Sequence, residues 1–211
     1  MGLGDLKLLI FDLDGVLVDS RNYWITILRD VANKFGYNVS NDDIAKNLGL
    51  KPQDVLRGIC GPDAPVDNML KEIENNLTAP NYILQLKLKG NVKEVLQHLR
   101  EKYRLALITN APYSFTEIVL KKVDILRFFD EIITASENFR TKSDIIKFLS
   151  QVLKTPVNQI AYIGDMARDI EEAREAGCKS IIIPGWSSHD DVERAKPDLI
   201  VDKLEELPKF L

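Results

Sequence analysis

The chain is poor in the residues that carry nucleophilic and soft-metal chemistry: 211 residues hold two cysteines and two histidines. Cys60 and Cys178 stand too far apart for a metal-binding spacing, and two isolated thiols make no disulfide scaffold. They read as reduced thiols of a cytoplasmic protein. His98 falls beside the apolar stripe of an amphipathic segment and reads as surface. His189 follows Gly185-Trp186-Ser187-Ser188, a loop that caps a helix. A Ser/His/Asp triad has no good candidate histidine here. No apolar run approaches the roughly 20 residues that span a bilayer. The 28 Lys and Arg are outnumbered by 32 Asp and Glu, giving a net charge of −4 and a pI near 5.3, without a basic cluster. Nucleic acid is therefore not an expected partner. The start, Met1 to Lys7, lacks a basic segment followed by an apolar core, so no signal peptide is expected. Leu6 occupies the position where a myristoylation motif beginning Met1-Gly2 wants Ser or Thr.

The remaining composition, 45% hydrophobic and 28% charged, is that of a soluble globular protein of one domain or two small ones. Short apolar runs predict strands at Lys7–Phe11, Leu105–Thr109, Glu131–Thr134, Ile160–Ile163, Ser180–Ile183 and Leu199–Val201. Helical stripes lie between most of them. Val92, Val95, Leu96, Leu99 and Tyr103 make one, and Ile145, Ile146, Leu149 and Leu153 another. Strands alternating with helices predict an α/β fold, a doubly wound parallel sheet with helices on both faces.

From Val18 to Lys87 that alternation stops and only helices are expected. Trp24, Ile27, Leu28, Val31 and Phe35 mark the first, ending near Gly36. Asp42 to Leu48 gives a second. Pro52 opens a third that Cys60-Gly61-Pro62 stops, and Val66 to Tyr82 supplies a fourth. An all-helical insert after the first strand predicts a second small domain, residues 18–87, on a core of 1–17 and 88–211. The joints fall near Leu17–Asp19 and Gln85–Gly90.

Four aspartates stand directly after predicted buried strands. Asp12 and Asp14 lie in Phe11-Asp12-Leu13-Asp14-Gly15-Val16, and Asp165 and Asp169 in Ile163-Gly164-Asp165-Met166-Ala167-Arg168-Asp169. Either segment alone could be a turn, since Asp-Gly bends chains and Gly-Asp opens helices. Both together, each after a strand, point to the carboxyl ends of a parallel sheet, where such folds bind ligands. Carboxylates that converge need a counter-charge. Hard oxygen donors with open positions suit Mg2+.

Phe11-Asp12-Leu13-Asp14-Gly15-Val16-Leu17-Val18-Asp19-Ser20 resembles the first motif of the haloacid dehalogenase-like superfamily, and Gly164–Asp169 its fourth. Leu107-Ile108-Thr109-Asn110 resembles the second, and Lys142 in Thr141-Lys142-Ser143-Asp144 the third, in the expected order. The resemblance spans the chain and is nearest to phosphoglycolate phosphatase-like members with a small helical cap; a similar Gly-Trp segment to Gly185-Trp186 occurs among them. It implies a Mg2+-dependent hydrolase of a small phosphorylated metabolite. Asp12 is then the nucleophile that forms an aspartyl-phosphate, and Asp14 the general acid and base. Mg2+ is held by Asp12, Asp165 and the backbone carbonyl of Asp14, with Asp169 completing the shell through water or orienting Lys142. Thr109 and the Asn110 amide bind phosphoryl oxygens, and Lys142 supplies a fixed positive charge. One departure stands out: Ser143 follows Lys142 where members often carry Pro, and Ser143 can cap the helix instead.

Substrate choice is expected from the cap, through Arg21, Asn22, Lys51 and Arg57, with Leu48-Gly49-Leu50-Lys51-Pro52 as the loop that meets the core. Arg168 reads as a solvated or ion-paired helix residue rather than a substrate ligand. Competing readings are a phosphosugar mutase, which shares Asp12 and Asp14; a dehalogenase, which needs no metal and no second aspartate; and a non-enzymatic binding or regulatory protein on this fold.

Overall fold

The computed structural model describes residues 3–134 and 139–211; Met1 and Gly2, where a myristoylation motif would begin, lie outside them. The first strand, β1 (Leu8–Phe11), is followed by β2 (Val18–Asp19) and five helices: α1 (Arg21–Lys34), α2 (Asn41–Asn47), α3 (Pro52–Cys60), α4 (Val66–Asn76) and α5 (Pro80–Ile83). After β3 (Lys87–Leu88) the chain alternates: α6 (Val92–Arg100), β4 (Arg104–Ile108), α7 (Tyr113–Lys122), β5 (Glu131–Ile133), α8 (Lys142–Val152), β6 (Ile160–Gly164), α9 (Ala167–Ala176), β7 (Lys179–Ile182), α10 (His189–Ala195) and β8 (Leu199–Ile200). Six strands form one sheet in the order β5-β4-β1-β6-β7-β8, every pair parallel. This is the expected α/β sheet.

The central strands are apolar throughout because both faces are covered. The two-residue period sorts their side chains. Leu9, Phe11, Leu105, Leu107, Ala161 and Ile163 join one buried cluster with residues of α6 and α7. Leu8, Ile10, Ala106, Ile108, Ile160 and Tyr162 join the other, with Ile145, Ile146 and Leu149 of α8 and Ala173 and Ala176 of α9. The first cluster runs on into the apolar faces of α1, α3 and α4, including Trp24, Ile27, Val55, Leu56 and Met69.

Two details differ from the sequence reading. Val18–Asp19 and Lys87–Leu88 pair antiparallel, so a two-stranded ribbon stands where only helices were expected. Strands of two residues have no periodicity to read. The fourth helix of the insert is also two. α4 ends at Asn76 and α5 begins at Pro80, because Pro80 cannot donate to a continuing helix and Ala79 before it is extended (φ −59°, ψ 135°).

Candidate active site

The sheet brings three strand ends within one residue of one another. Phe11 pairs with Leu107 on one side and Ile163 on the other. Asp12, one residue beyond Phe11, and Thr109 and Asp165, each two residues beyond its partner, therefore emerge together at the carboxyl edge. Asp12 N still donates to Ile163 O at 2.9 Å and Thr109 N to Ile133 O at 3.0 Å, so both side chains leave from backbone held in the ladder.

Lys142, at the start of α8, ties the acidic groups together. Its Nζ donates to Asp12 Oδ2 at 2.6 Å and to Asp169 Oδ1 at 2.9 Å, and it sits 5.4 Å from the centroid of the Tyr162 ring. All four side chains are buried. Burial works against the ammonium, but the Asp12 and Asp169 carboxylates outweigh it and hold Lys142 well above its ordinary range. Burial pushes the Asp12 carboxyl up to about 7 despite Lys142. Asp165 is raised well above a normal carboxylate by burial and by Asp169 and Asp12.

Asp12, Asp165 and Asp169 can each point one oxygen to a spot where all lie within 4.8 Å of one another. Were all three carboxylates ionised, the one ammonium would leave two negative charges uncompensated, and burial together with that excess is why Asp12 and Asp165 are raised. The donor set, buried and all oxygen, fits a small hard dication. Within it Asp169 differs: Oδ1 accepts from Lys142 and from Tyr162 Oη (3.2 Å), and Oδ2 from the amides of Asp165 (3.1 Å) and Met166 (3.0 Å). A carboxylate offers about four lone-pair sites, and all of those are taken. Asp12 and Asp165 each keep capacity: Asp12 Oδ1 accepts from Leu13 N at 2.8 Å and Asp165 Oδ2 from Trp186 N at 2.9 Å.

The Asp14 side chain lies outside that trio and turns toward α1. Its Oδ1 accepts from Ser20 Oγ and from Trp24 Nε1 (3.0 Å), and its Oδ2 from Thr109 Oγ1 (3.3 Å). Burial raises the Asp14 carboxyl, and these three donors oppose the rise. Neither Ser20 nor Trp24 was read as a site residue; Trp24 was assigned to an apolar stripe. The signal was their spacing of four residues at a helix start, which places both on one face beside Asp14.

The Ser143 expectation is corrected. The α8 cap is Thr141, whose Oγ1 accepts from Asp144 N at 3.1 Å while Asp144 Oδ2 accepts from Thr141 N at 3.3 Å. Ser143 Oγ is buried with no partner among the described residues, and Ser143 N donates to Glu172 Oε2 at 2.7 Å. Thr141 already has the extended backbone a cap needs, so Ser143 falls inside the first turn.

Two glycines let backbone close on the site. Gly15 has φ +78°, and a Cβ there would lie 2.1 Å from Asp165 Oδ2. Gly49, in the loop between α2 and α3, has φ +87°, and a Cβ would meet Met166 Sδ at 2.6 Å. Asn110 Nδ2 donates to Gly49 O at 2.8 Å and Lys51 Nζ to Phe139 O at 2.8 Å, so this loop rests on the sheet edge. Between loop and edge is a cavity. Asp12, Asp14, Thr109, Asn110, Lys142, Asp165 and Asp169 line it, with Trp24, Gly49 and Arg168. Arg21 and Arg57 do not. Both are exposed, and Arg57 pairs with Asp54 at 3.4 Å. Asn22 is also exposed and outside the lining. Among the described residues no helix is long and apolar enough to cross a membrane.

Residues 9–183 match the family described as haloacid dehalogenase-like hydrolase, and the chain belongs to that family. It is 26% identical over 216 residues to a Vibrio parahaemolyticus phosphoglycolate phosphatase, covering 96% of this chain and 95% of that protein. It is 24% identical over 209 residues to a Caldanaerobacter subterraneus protein whose name assigns it provisionally to the pyrophosphatases, covering 96% and 93%. A solved haloacid dehalogenase-like family hydrolase from Streptococcus pneumoniae superposes with a TM-score of 0.84 at 23% identity over 98% of each chain.

Proposed function

We propose that the chain is a Mg2+-dependent phosphomonoester hydrolase working through an aspartyl-phosphate on Asp12. The observation that carries this is one buried carboxylate, Asp12, bonded to Lys142 and one register step from Thr109 and Asp165 at the carboxyl edge of the sheet. A relative named phosphoglycolate phosphatase makes 2-phosphoglycolate the first ester to try, and one named for pyrophosphate cleavage makes pyrophosphate the second.

An Asp12 oxygen attacks phosphorus, the P–O bond to the leaving group breaks, and Asp14 gives that oxygen its proton. Asp14 then takes a proton from water, the water oxygen attacks phosphorus, and the Asp12–phosphate bond breaks to release inorganic phosphate. One carboxyl serves both halves because their proton demands are opposite. Thr109 Oγ and the Asn110 amide receive phosphoryl oxygens, and Lys142 offsets negative charge next to Asp12. Bound Mg2+ supplies the positive charge that lets a phosphate dianion approach an anionic nucleophile. Asp12 and Asp165 have the free lone pairs to hold it, with the Asp14 carbonyl; the saturated Asp169 orients Lys142. Residues 18–87 act as a cap that closes over the edge and excludes water.

Activity on an aryl phosphate should vanish in chelator and return with Mg2+ but poorly with Ca2+, whose larger, looser shell misplaces the nucleophile. Mg2+ at a hundred times its Kd should also stabilise the fold by about 2.7 kcal/mol, read as a rise in Tm. Full activity in chelator would sink the phosphatase reading and favour metal-free dehalogenation.

Trp24 and Ser20 fill both lone pairs of Asp14 Oδ1, which leaves Oδ2 as the oxygen that exchanges a proton. Trp24→Phe keeps the ring that packs 4.6 Å from Phe115 but removes the donor. Its kcat should fall by about tenfold on alkyl phosphates, which need the acid, and less on p-nitrophenyl phosphate, which does not. KM should hold. Equal losses on both esters would make Trp24 a packing residue only.

A further inference from the structure

The cations expected to choose the substrate, Arg21 and Arg57, stand outside the cavity, and different ones line its extension. A second hollow adjoins the first and shares Leu50, Asn110, Lys142 and Arg168 with it. Arg140, Arg168 and Lys51 contribute its positive charge. Arg140 directly precedes the Thr141 cap of α8, and Arg168 is the second residue of α9. A helix start already carries positive potential, so a cation there is disfavoured unless an anion joins it. Neither arginine has a hydrogen-bond or ion-pair partner among the described residues. The acids of the hollow are engaged elsewhere: Asp54 pairs with Arg57 at 3.4 Å, and Glu172 accepts from Ser143 N at 2.7 Å.

We infer that Arg140 and Arg168 form a recognition site for a second anionic group, a carboxylate carried on the leaving group of the phosphomonoester. The inference rests on the phosphatase reading and narrows it. A phosphoryl group placed between Asp12, Thr109 and Lys142 lies in the first hollow, and the adjoining one, reached past the shared Asn110 and Arg168, is lined by both arginines. A planar fork of donors matches a carboxylate in two-point fashion. Both arginines belong to the core, so the leaving group is read from the sheet side and Lys51 adds charge from the loop above.

The test uses two phosphonates, whose C–P bond resists hydrolysis: 3-phosphonopropionate and propylphosphonate, titrated by calorimetry with Mg2+ present. The wild type should bind the carboxylated ligand about tenfold more tightly. That ratio should fall toward one in R140A/R168A and partly in each single variant, with folding checked by circular dichroism. It should recover in part in R140K/R168K, which keeps charge without the fork. Equal affinities in the wild type, or a preference that survives in folded R140A/R168A, would overturn the inference. If the double variant does not fold, the single variants decide by the same ratio. Phosphate release from p-nitrophenyl phosphate reads the enzyme assignment separately. Release with no preference between phosphonates sinks this site alone; preference with no release sinks the phosphatase reading and leaves the site standing.

Discussion

Asp12→Asn is expected to lower turnover by a factor on the order of 10⁴ or more, to background, because the side chain that would form the covalent bond is gone. Its neighbours should stay in place. Lys142 keeps Asp169 as a partner at 2.9 Å, and Leu13 N can still donate to an amide oxygen. Intact mass after mixing with an activated phosphate donor should show no adduct. Stability should move the other way. The folded Asp12 carboxyl, at about 7, lies above its unfolded value of 3.8, so between those values the folded chain holds a proton that the unfolded chain has lost. Its contribution is therefore full below about pH 4 and is lost as pH rises through about 7. In chelator, the wild-type Tm should decline over that window and the Asp12→Asn Tm should decline less. A phosphorylated Asp12→Asn protein would show that another residue is the nucleophile.

The sheet was legible because its central strands are apolar on both faces, and the helices because their stripes recur at a helical period. The aspartates were legible because their positions in sequence, directly after such strands, carry the information. What joins them was not. Lys142 meets Asp12 across 130 residues and Thr109 meets Asp14 across 95, and no local spacing encodes either contact. Motif order suggested Lys142 beside Asp12, and nothing in the sequence suggested the Thr109–Asp14 bond. Trp24 was hidden for another reason. An indole on an apolar helix face looks like packing, and it does pack, but its one polar atom reaches Asp14. Arg168 reads from its helix as solvated; only the adjoining α8 start and the loop above turn that exposed side chain into a cavity wall. Arg21 and Arg57 are the reverse case, charged residues of the insert whose exposed side chains lie outside the cavity lining.

Asp14→Asn is expected to separate the two half-reactions. Asp12 and Lys142 keep their contacts, since the Asp14 side chain lies apart from them, so the nucleophile remains competent. A good leaving group needs no proton and should still phosphorylate Asp12. The second half suffers, because an amide cannot take a proton from water, and general-base help is worth about 10²–10⁴ in rate. Rapid mixing with p-nitrophenyl phosphate should show a burst near one equivalent of p-nitrophenol, followed by turnover slower by that factor. The adduct should persist long enough for intact-mass detection. Alkyl phosphates, which need the acid in the first half as well, should give neither burst nor adduct. The fold should tolerate the change: the amide oxygen, placed at the Oδ1 position, can still accept from Trp24 and Ser20, and the NH2 group can donate to Thr109 Oγ1. Normal steady-state turnover by Asp14→Asn, or a burst of the same size with alkyl and aryl esters, would remove Asp14 from both proton transfers.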